Sequence, residues 1–133
     1  MSNTKATGVA YLDPEFSTMY ATDEIGYAAA ASGAVTQLTS KSTGVTLNKS
    51  AGQITTNAAS LAAATNVTFT LTNSLITAND VVILSVASGA TAGAYNCWIS
   101  SKASGSCTIT LRNISGAPLS EAVVINFVII HVL

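Results

Sequence analysis

The chain has 133 residues, which is the size of one domain with a single hydrophobic core. Only 8% of the residues are charged, against about 25% in an average protein. The net charge is −1 and no run of basic residues is present, which argues against nucleic-acid binding. No segment is long and apolar enough for a membrane-spanning helix, so we expect no membrane partner. So few charges predict that much of the surface is covered in an assembly.

The first 33 residues differ in composition from the rest. They contain one basic and four acidic residues, a net charge of −3, whereas residues 34–133 contain four basic and two acidic residues, a net charge of +2. They also hold four of the eight aromatic residues, and a merely disordered acidic tail would be poor in these. We therefore predict that residues 1–33 form an irregular, extended arm that docks aromatic anchors into a partner. These anchors are Tyr11, Phe16, Tyr20 and Tyr27. The alternative is that they pack on their own domain.

Two similar stretches, residues 66–86 and 107–128, organise the remainder of the chain. Each begins with strict alternation of apolar and polar residues, Val67-Thr-Phe-Thr-Leu-Thr in the first and Cys107-Thr-Ile-Thr-Leu-Arg in the second. This period of two is typical of a half-buried strand. After a loop, each stretch continues with a run that is apolar on both faces and needs cover on both sides. We interpret the pair as two strand–loop–strand units stacked in one sandwich.

Further short apolar segments, separated by turns rich in Gly, Ser and Asn, complete the pattern. The predicted fold is all-β, an antiparallel, jelly-roll-like β-sandwich of about eight strands that occupies residues 34–133. The strands are predicted at 35–39, 44–48, 53–56, 67–72, 81–87, 94–100, 107–112 and 122–132.

The last of these strands, 122–132, is the longest and most apolar, and it predicts an interface. One set of alternate residues, Val123 to Ile129, suits the core, which leaves the other set on the opposite face. Each aliphatic side chain left in water forgoes roughly 1.5–3 kcal/mol, so a neighbouring subunit or the arm is the natural cover. The predicted subunit interface consists of Val124, Asn126, Val128 and Ile130.

Residues able to carry catalysis are scarce. The single histidine, His131, lies near the C-terminus in a strand, where no nucleophile–base–acid set can be assembled around it. The paired acids of the arm have no apolar pocket to raise their pKa. Cys97 and Cys107 do not have metal-site spacing, and we favour two reduced, buried thiols over a disulfide across the hairpin. We therefore expect no enzyme, no cofactor and no metal.

Several segments resemble small β-sandwich proteins of tailed-bacteriophage virions. The resemblance rests on Val35-Thr-Gln-Leu-Thr-Ser-Lys-Ser-Thr-Gly-Val-Thr-Leu-Asn48, Gly52-Gln-Ile-Thr-Thr-Asn57, Val67-Thr-Phe-Thr-Leu-Thr-Asn73 with Asp80-Val-Val, Thr108-Ile-Thr-Leu-Arg-Asn113 and Leu119-Ser-Glu-Ala-Val-Val-Ile-Asn126. It implies a module that serves either as a head-decoration (cement) protein or as the C-terminal part of a tail fibre or spike. Such modules are typically trimers, and the resemblance supplies no catalytic residues.

A short arm, without a coiled-coil or collagen-like shaft, favours the decoration protein. The expectation is a homotrimer that binds the major capsid protein on the outer surface of the virion, after synthesis in the host bacterial cytoplasm. The alternative is a receptor-binding or assembly module of a tail fibre or tailspike, whose partners are other tail proteins or a host receptor. Carbohydrate recognition would need aromatic and acidic residues in the loops, and loops 88–93 and 114–120 contain neither.

Overall fold

The computed structural model describes residues 16–132, which form a sandwich of two four-stranded sheets. The prediction of an all-β sandwich with eight strands is confirmed. A short 3₁₀ turn at Ala29–Ala31 leads from the arm into the first strand. The strands are β1 (Ser32–Thr36), β2 (Val45–Thr46), β3 (Ala51–Thr55), β4 (Asn66–Thr72), β5 (Val81–Ser88), β6 (Tyr95–Ala103), β7 (Ser106–Asn113) and β8 (Val124–Ile130).

The strand order is β1-β3-β8-β5 in the first sheet and β2-β4-β7-β6 in the second. Four of the six strand pairs are antiparallel, but β1 pairs with β3, and β2 with β4, in parallel. The chain crosses from one sheet to the other at each connection between β1 and β4. As a result β3 returns beside β1, and β4 beside β2, each in the same direction as its neighbour. These parallel edges differ from the purely antiparallel pairing that we predicted, and they leave the jelly-roll topology unconfirmed.

The two similar stretches lie side by side, as their resemblance to each other suggested. In each stretch the alternating strand belongs to the second sheet and the apolar run belongs to the first. The alternating strands β4 and β7 pair antiparallel, and so do the apolar strands β5 and β8. The two units therefore pair strand with strand in both sheets, and their inward side chains supply most of the core.

The alternation of the sequence decides which side chains enter that core. Phe69, Leu71, Ile109 and Leu111 of the second sheet are at most 2% exposed. They pack in the same core as the residues of the last strand that were predicted to face inward, and these residues are also buried. These are Val123, Ile125, Phe127 and Ile129. The assignment of the two faces of this strand from the sequence is therefore confirmed.

Both cysteines are free thiols, as predicted, and the register explains why. Cys97 lies opposite Leu111, whereas Cys107 lies opposite Lys102, so the two sulfurs are separated along the hairpin. Cys107 is buried and Cys97 is half-buried. Burial raises the pKa of the Cys107 thiol to about 11, which keeps it protonated and unreactive near neutral pH.

The last strand is shorter than the predicted 122–132, and a buried carboxylate accounts for its end. The Asp80 side chain accepts hydrogen bonds from the backbone N–H of Val132 (3.2 Å) and Thr77 (2.8 Å), and it lies 3.0 Å from Nδ1 of His131. The residues after Ile130 therefore bond to the Asp80 side chain, just before β5, rather than continuing the ladder. No helix between residues 16 and 132 is long and apolar enough to cross a membrane.

Candidate functional site

Charge is almost absent from the strands, and this feature defines the candidate surfaces. Of all residues in β1 to β8, only Lys102 and Arg112 are charged. Lys102 lies at the end of β6, where its amine donates to the backbone carbonyl of Asp80. Arg112 is therefore the single charged side chain on the two broad outer faces of the sandwich.

The outer surface of the β1-β3-β8-β5 sheet, which we call the apolar face, contains the predicted subunit interface. All four predicted residues lie on this side of β8: Val124 and Val128 are half-buried, and Asn126 and Ile130 are exposed. The Asn126 side chain accepts a 3.0 Å hydrogen bond from the Gln53 amide on β3. This amide pair gives the middle of the face a fixed polar feature among aliphatic side chains.

Strand β5 enlarges the aliphatic part of the apolar face. Val81 lies opposite Ile130, and Ile83 lies opposite Val128. Val81, Ile83 and Ile130 are each 46–49% exposed, although such residues stabilise a protein most when buried. Sequence analysis missed Val81 and Ile83 because a run that is apolar at consecutive positions does not reveal which side faces the core. We expected this apolar run to be covered on both faces. Within one chain, its outer face is only partly covered.

Part of the arm lies over the aliphatic residues of the apolar face. The Tyr27 hydroxyl donates to the backbone carbonyl of Ile129, whose N–H bonds to the Ser50 carbonyl. Residues 25–27, which we call the strap, leave an apolar cavity of about 460 Å³ above Val128 and Ile130. Tyr27 thus contacts its own sheet, which agrees with the alternative in which an anchor packs on its own domain.

The other predicted anchors have different positions. Phe16 and Tyr20 are 62% and 89% exposed, so their rings make little contact with the sandwich. Tyr11 lies outside the described residues. A hydrogen bond of 2.8 Å from Lys49 to the Ala30 carbonyl fixes the arm where it enters β1. The arm is therefore attached to the sheet at residues 27–30, and Phe16 and Tyr20 are presented to solvent.

The outer surface of the β2-β4-β7-β6 sheet, which we call the hydroxyl face, has a different chemistry. Thr68, Thr70 and Thr72 of β4 lie opposite Thr110, Thr108 and Ser106 of β7, which gives three successive hydroxyl pairs. The Thr68 and Thr110 hydroxyls are 3.0 Å apart, and Thr110 also bonds to Ser100. Hydroxyls therefore bond across the strands between Thr68 and Thr110 and between Thr108 and Ser101.

The single tryptophan stands at one edge of the hydroxyl face. Trp98 lies opposite Thr110, which lies opposite Thr68, so these three form one row across the sheet. The next row contains Asn96, Arg112 and Asn66. Arg112 donates a 3.2 Å hydrogen bond to the Asn66 side chain. Sequence analysis could not find these rows, since their members are far apart in the sequence and meet only through strand register.

The polar groups at the ends of the sandwich have structural partners. Burial raises the pKa of Asp80, but hydrogen bonds from Thr77, Val132 and His131 outweigh burial and hold it at about 2. His131 thus lies against a carboxylate that Thr77 and Val132 also hold. The arrangement fixes the end of β8, and the expectation that the protein is no enzyme stays a prediction.

The opposite end is held by a buried lysine. The Lys41 amine donates to the backbone carbonyls of Asn57 and Glu121, and burial lowers its pKa. The Glu121 carboxylate accepts hydrogen bonds from Thr91, both from the backbone N–H and from the hydroxyl, and these lower its pKa. These contacts join four loops, so we assign them to stability. Within residues 16–132, no group of three His, Cys, Asp or Glu side chains is arranged to hold a metal ion.

No protein-family model, curated protein or solved structure matches this chain.

Proposed function

We propose that the protein is a structural component of a bacteriophage virion, a capsid decoration protein that binds the outer shell as a homotrimer. The observation that carries the proposal is the apolar face, an uncharged sheet surface with exposed aliphatic residues from which an aromatic arm departs. The resemblance of the sequence to small virion sandwiches supports it. The proposed partners are two further copies of the chain and the major capsid protein.

The apolar face is the proposed subunit interface. Val81, Ile83 and Ile130 are about half exposed, so covering each would contribute about 1 kcal/mol. The Gln53–Asn126 amide pair would fix the register between subunits, because an amide moved off its partners in a dry interface loses hydrogen bonds. Uncharged neighbours on β1 and β3 would allow close approach without desolvating an ion.

The arm is the proposed attachment to the shell. Phe16 and Tyr20 are exposed, and Asp23 and Glu24 follow them. Aromatic residues desolvated in a partner's pocket can each contribute about 2 kcal/mol or more. Three arms on one trimer bind with a high effective concentration, so modest individual contacts give firm attachment. The acidic residues would direct the approach and orientation of the arm rather than supply most of the affinity.

The test is deletion of residues 2–24, which removes Tyr11, Phe16 and Tyr20 but keeps the strap with Tyr27. We expect the truncated protein to have an unchanged far-ultraviolet dichroism spectrum and to lose binding to purified capsid shells. The double variant Phe16→Ala/Tyr20→Ala should weaken binding in the same direction. The matched control is Tyr27→Phe, which alters only the attachment to its own sheet. Wild-type occupancy of shells by the truncated protein would contradict the role of the arm.

A tail-fibre or tailspike module is the second candidate. The observation that favours it is Trp98, which is 37% exposed on the hydroxyl face where a receptor could dock. Cryo-electron microscopy of the particle separates the two candidates, because density on the shell identifies a decoration protein and density at the tail tip identifies a receptor-binding module.

A further inference from the structure

Loops 88–93 and 114–120 lack the residues expected of a sugar site, but two rows on the strands, at the Trp98 end of the hydroxyl face, combine groups that recognise sugars. The first row provides the indole of Trp98 beside hydroxyls, and the second provides a guanidinium between two amides. Aromatic faces pack against apolar ring surfaces, whereas planar amides and guanidinium groups form paired hydrogen bonds with vicinal oxygens. We propose that this platform binds a polysaccharide that contains carboxylated sugars. The platform consists of Asn66, Thr68, Asn96, Trp98, Thr110 and Arg112.

The dimensions of the platform suit an extended chain of sugar rings. Strands β4, β7 and β6 are adjacent, so the outer strands are about 10 Å apart, and the two rows are separated by about 7 Å along the strands. Strand β2 pairs only with Leu71 and Thr72, so it does not extend alongside Asn66 or Thr68. The platform is therefore open at both lateral edges, and a long glycan can cross it without meeting a wall.

The exposure of the side chains agrees with a binding surface. Asn66, Asn96 and Thr68 are exposed, and Trp98 is 37% exposed although it is the largest side chain of the protein. Thr110, in the middle of its row, is only 4% exposed and bonds to Thr68 and Ser100. The centre of the platform is thus rigid and internally bonded, while the groups that would contact a ligand surround it.

Charge selects the class of sugar. Arg112 is the single charged residue at an outer position of the described strands, and one of its nitrogens already bonds to Asn66. The guanidinium is therefore held in place, with its remaining donors free for a ligand carboxylate. A neutral glycan could use the indole and the amides but would gain nothing from this fixed positive charge. The inference does not depend on the proposed attachment to a capsid.

The tryptophan itself provides the readout, because Trp98 is the only one in the sequence. We expect hyaluronate, a polymer with a carboxylate on alternate sugars, to produce a saturable change in tryptophan emission, and dextran, which is neutral, to produce none. Arg112→Gln should weaken hyaluronate binding about tenfold or more, since a charge-assisted hydrogen bond is lost. Arg112→Lys should recover only part of the affinity, because lysine lacks the planar fork.

Affinity electrophoresis in gels that contain hyaluronate tests the tryptophan directly. Trp98→Ala should abolish retardation, and Trp98→Phe, which keeps an aromatic ring in case the alanine variant is unstable, should retain part of it. Thr36→Ala, on the other sheet, is the matched control and should behave as wild type. The proposal is overturned by absent wild-type retardation, by equal retardation in dextran, or by wild-type retardation of folded Arg112→Gln. Deletion of the arm tests attachment to the capsid. Whether or not it abolishes capsid binding, it should leave retardation by hyaluronate unchanged.

Discussion

The two outer faces of the sandwich differ in chemistry because they come from different sequence patterns, continuous apolar runs in β5 and β8 and alternating strands in β4 and β7. On the apolar face, β5 and β8 expose aliphatic side chains, and the arm covers only part of them. On the hydroxyl face, β4 exposes threonines, and one of them, Thr68, bonds to the buried Thr110 of β7. Aliphatic groups gain free energy only by leaving water, whereas paired hydroxyls are stable in water and can also receive a polar ligand. The first face therefore suits permanent association and the second suits reversible binding.

The largest expected effect comes from placing a charge on each face in turn. Ile83→Asp should dissociate the proposed trimer, because an unpaired carboxylate buried between subunits costs several kcal/mol. Thr70→Asp, at an exposed position of the hydroxyl face, should leave the trimer intact. Light scattering coupled to size-exclusion chromatography measures both masses. A wild-type mass of one subunit at micromolar concentration, or equal effects of the two substitutions, would remove the distinction between the faces.

A second prediction concerns the carboxylate that holds the end of the apolar strand β8. The pKa of Asp80 is about 2 in the folded chain, below its ordinary value of 3.8. Its ionised form is therefore favoured by folding, so its contribution to stability is present above pH 4 and is lost as the pH falls towards 2. Urea midpoints between pH 5 and pH 2 should decrease for the wild type. Asp80→Asn should be less stable at pH 5 and should show a smaller decrease, whereas parallel curves would refute this role.

The strand pattern was the most predictable part of the molecule. Strict alternation located β4 and β7 to within one residue at each end, since one buried face leaves a clear period of two. Less regular segments were placed less well: β2 contains only Val45–Thr46 instead of 44–48, and β6 extends to Ala103 rather than ending at 100. The β6–β7 hairpin is longer because Gly105, with φ of +81°, permits a tight turn.

The surfaces were only half predictable, and register explains the difference. Val124, Asn126, Val128 and Ile130 could be assigned to one face from a single strand. The neighbours Val81 and Ile83 required knowledge that β5 lies beside β8. The platform around Arg112 required two registers at once, one with β4 and one with β6. Local sequence specifies which side chains share a strand face, whereas long-range pairing decides which strands share a surface.

The smallest expected effect tests whether the hydroxyls of the second face stabilise the sheet or only cover it. Thr110 is 4% exposed and its hydroxyl bonds to Thr68 and Ser100, whereas Thr70 is exposed. Thr110→Val keeps the shape of the side chain but removes the shared hydroxyl, so it should lower the free energy of unfolding by about 1–2 kcal/mol. Thr70→Val should change it by less than about 0.5 kcal/mol, because water replaces the lost partner and valine suits a strand. Urea denaturation at pH 7 measures both values. If the two substitutions are equivalent, the hydroxyl network contributes no stability, and the face is a polar covering whose pattern is available for ligand binding alone.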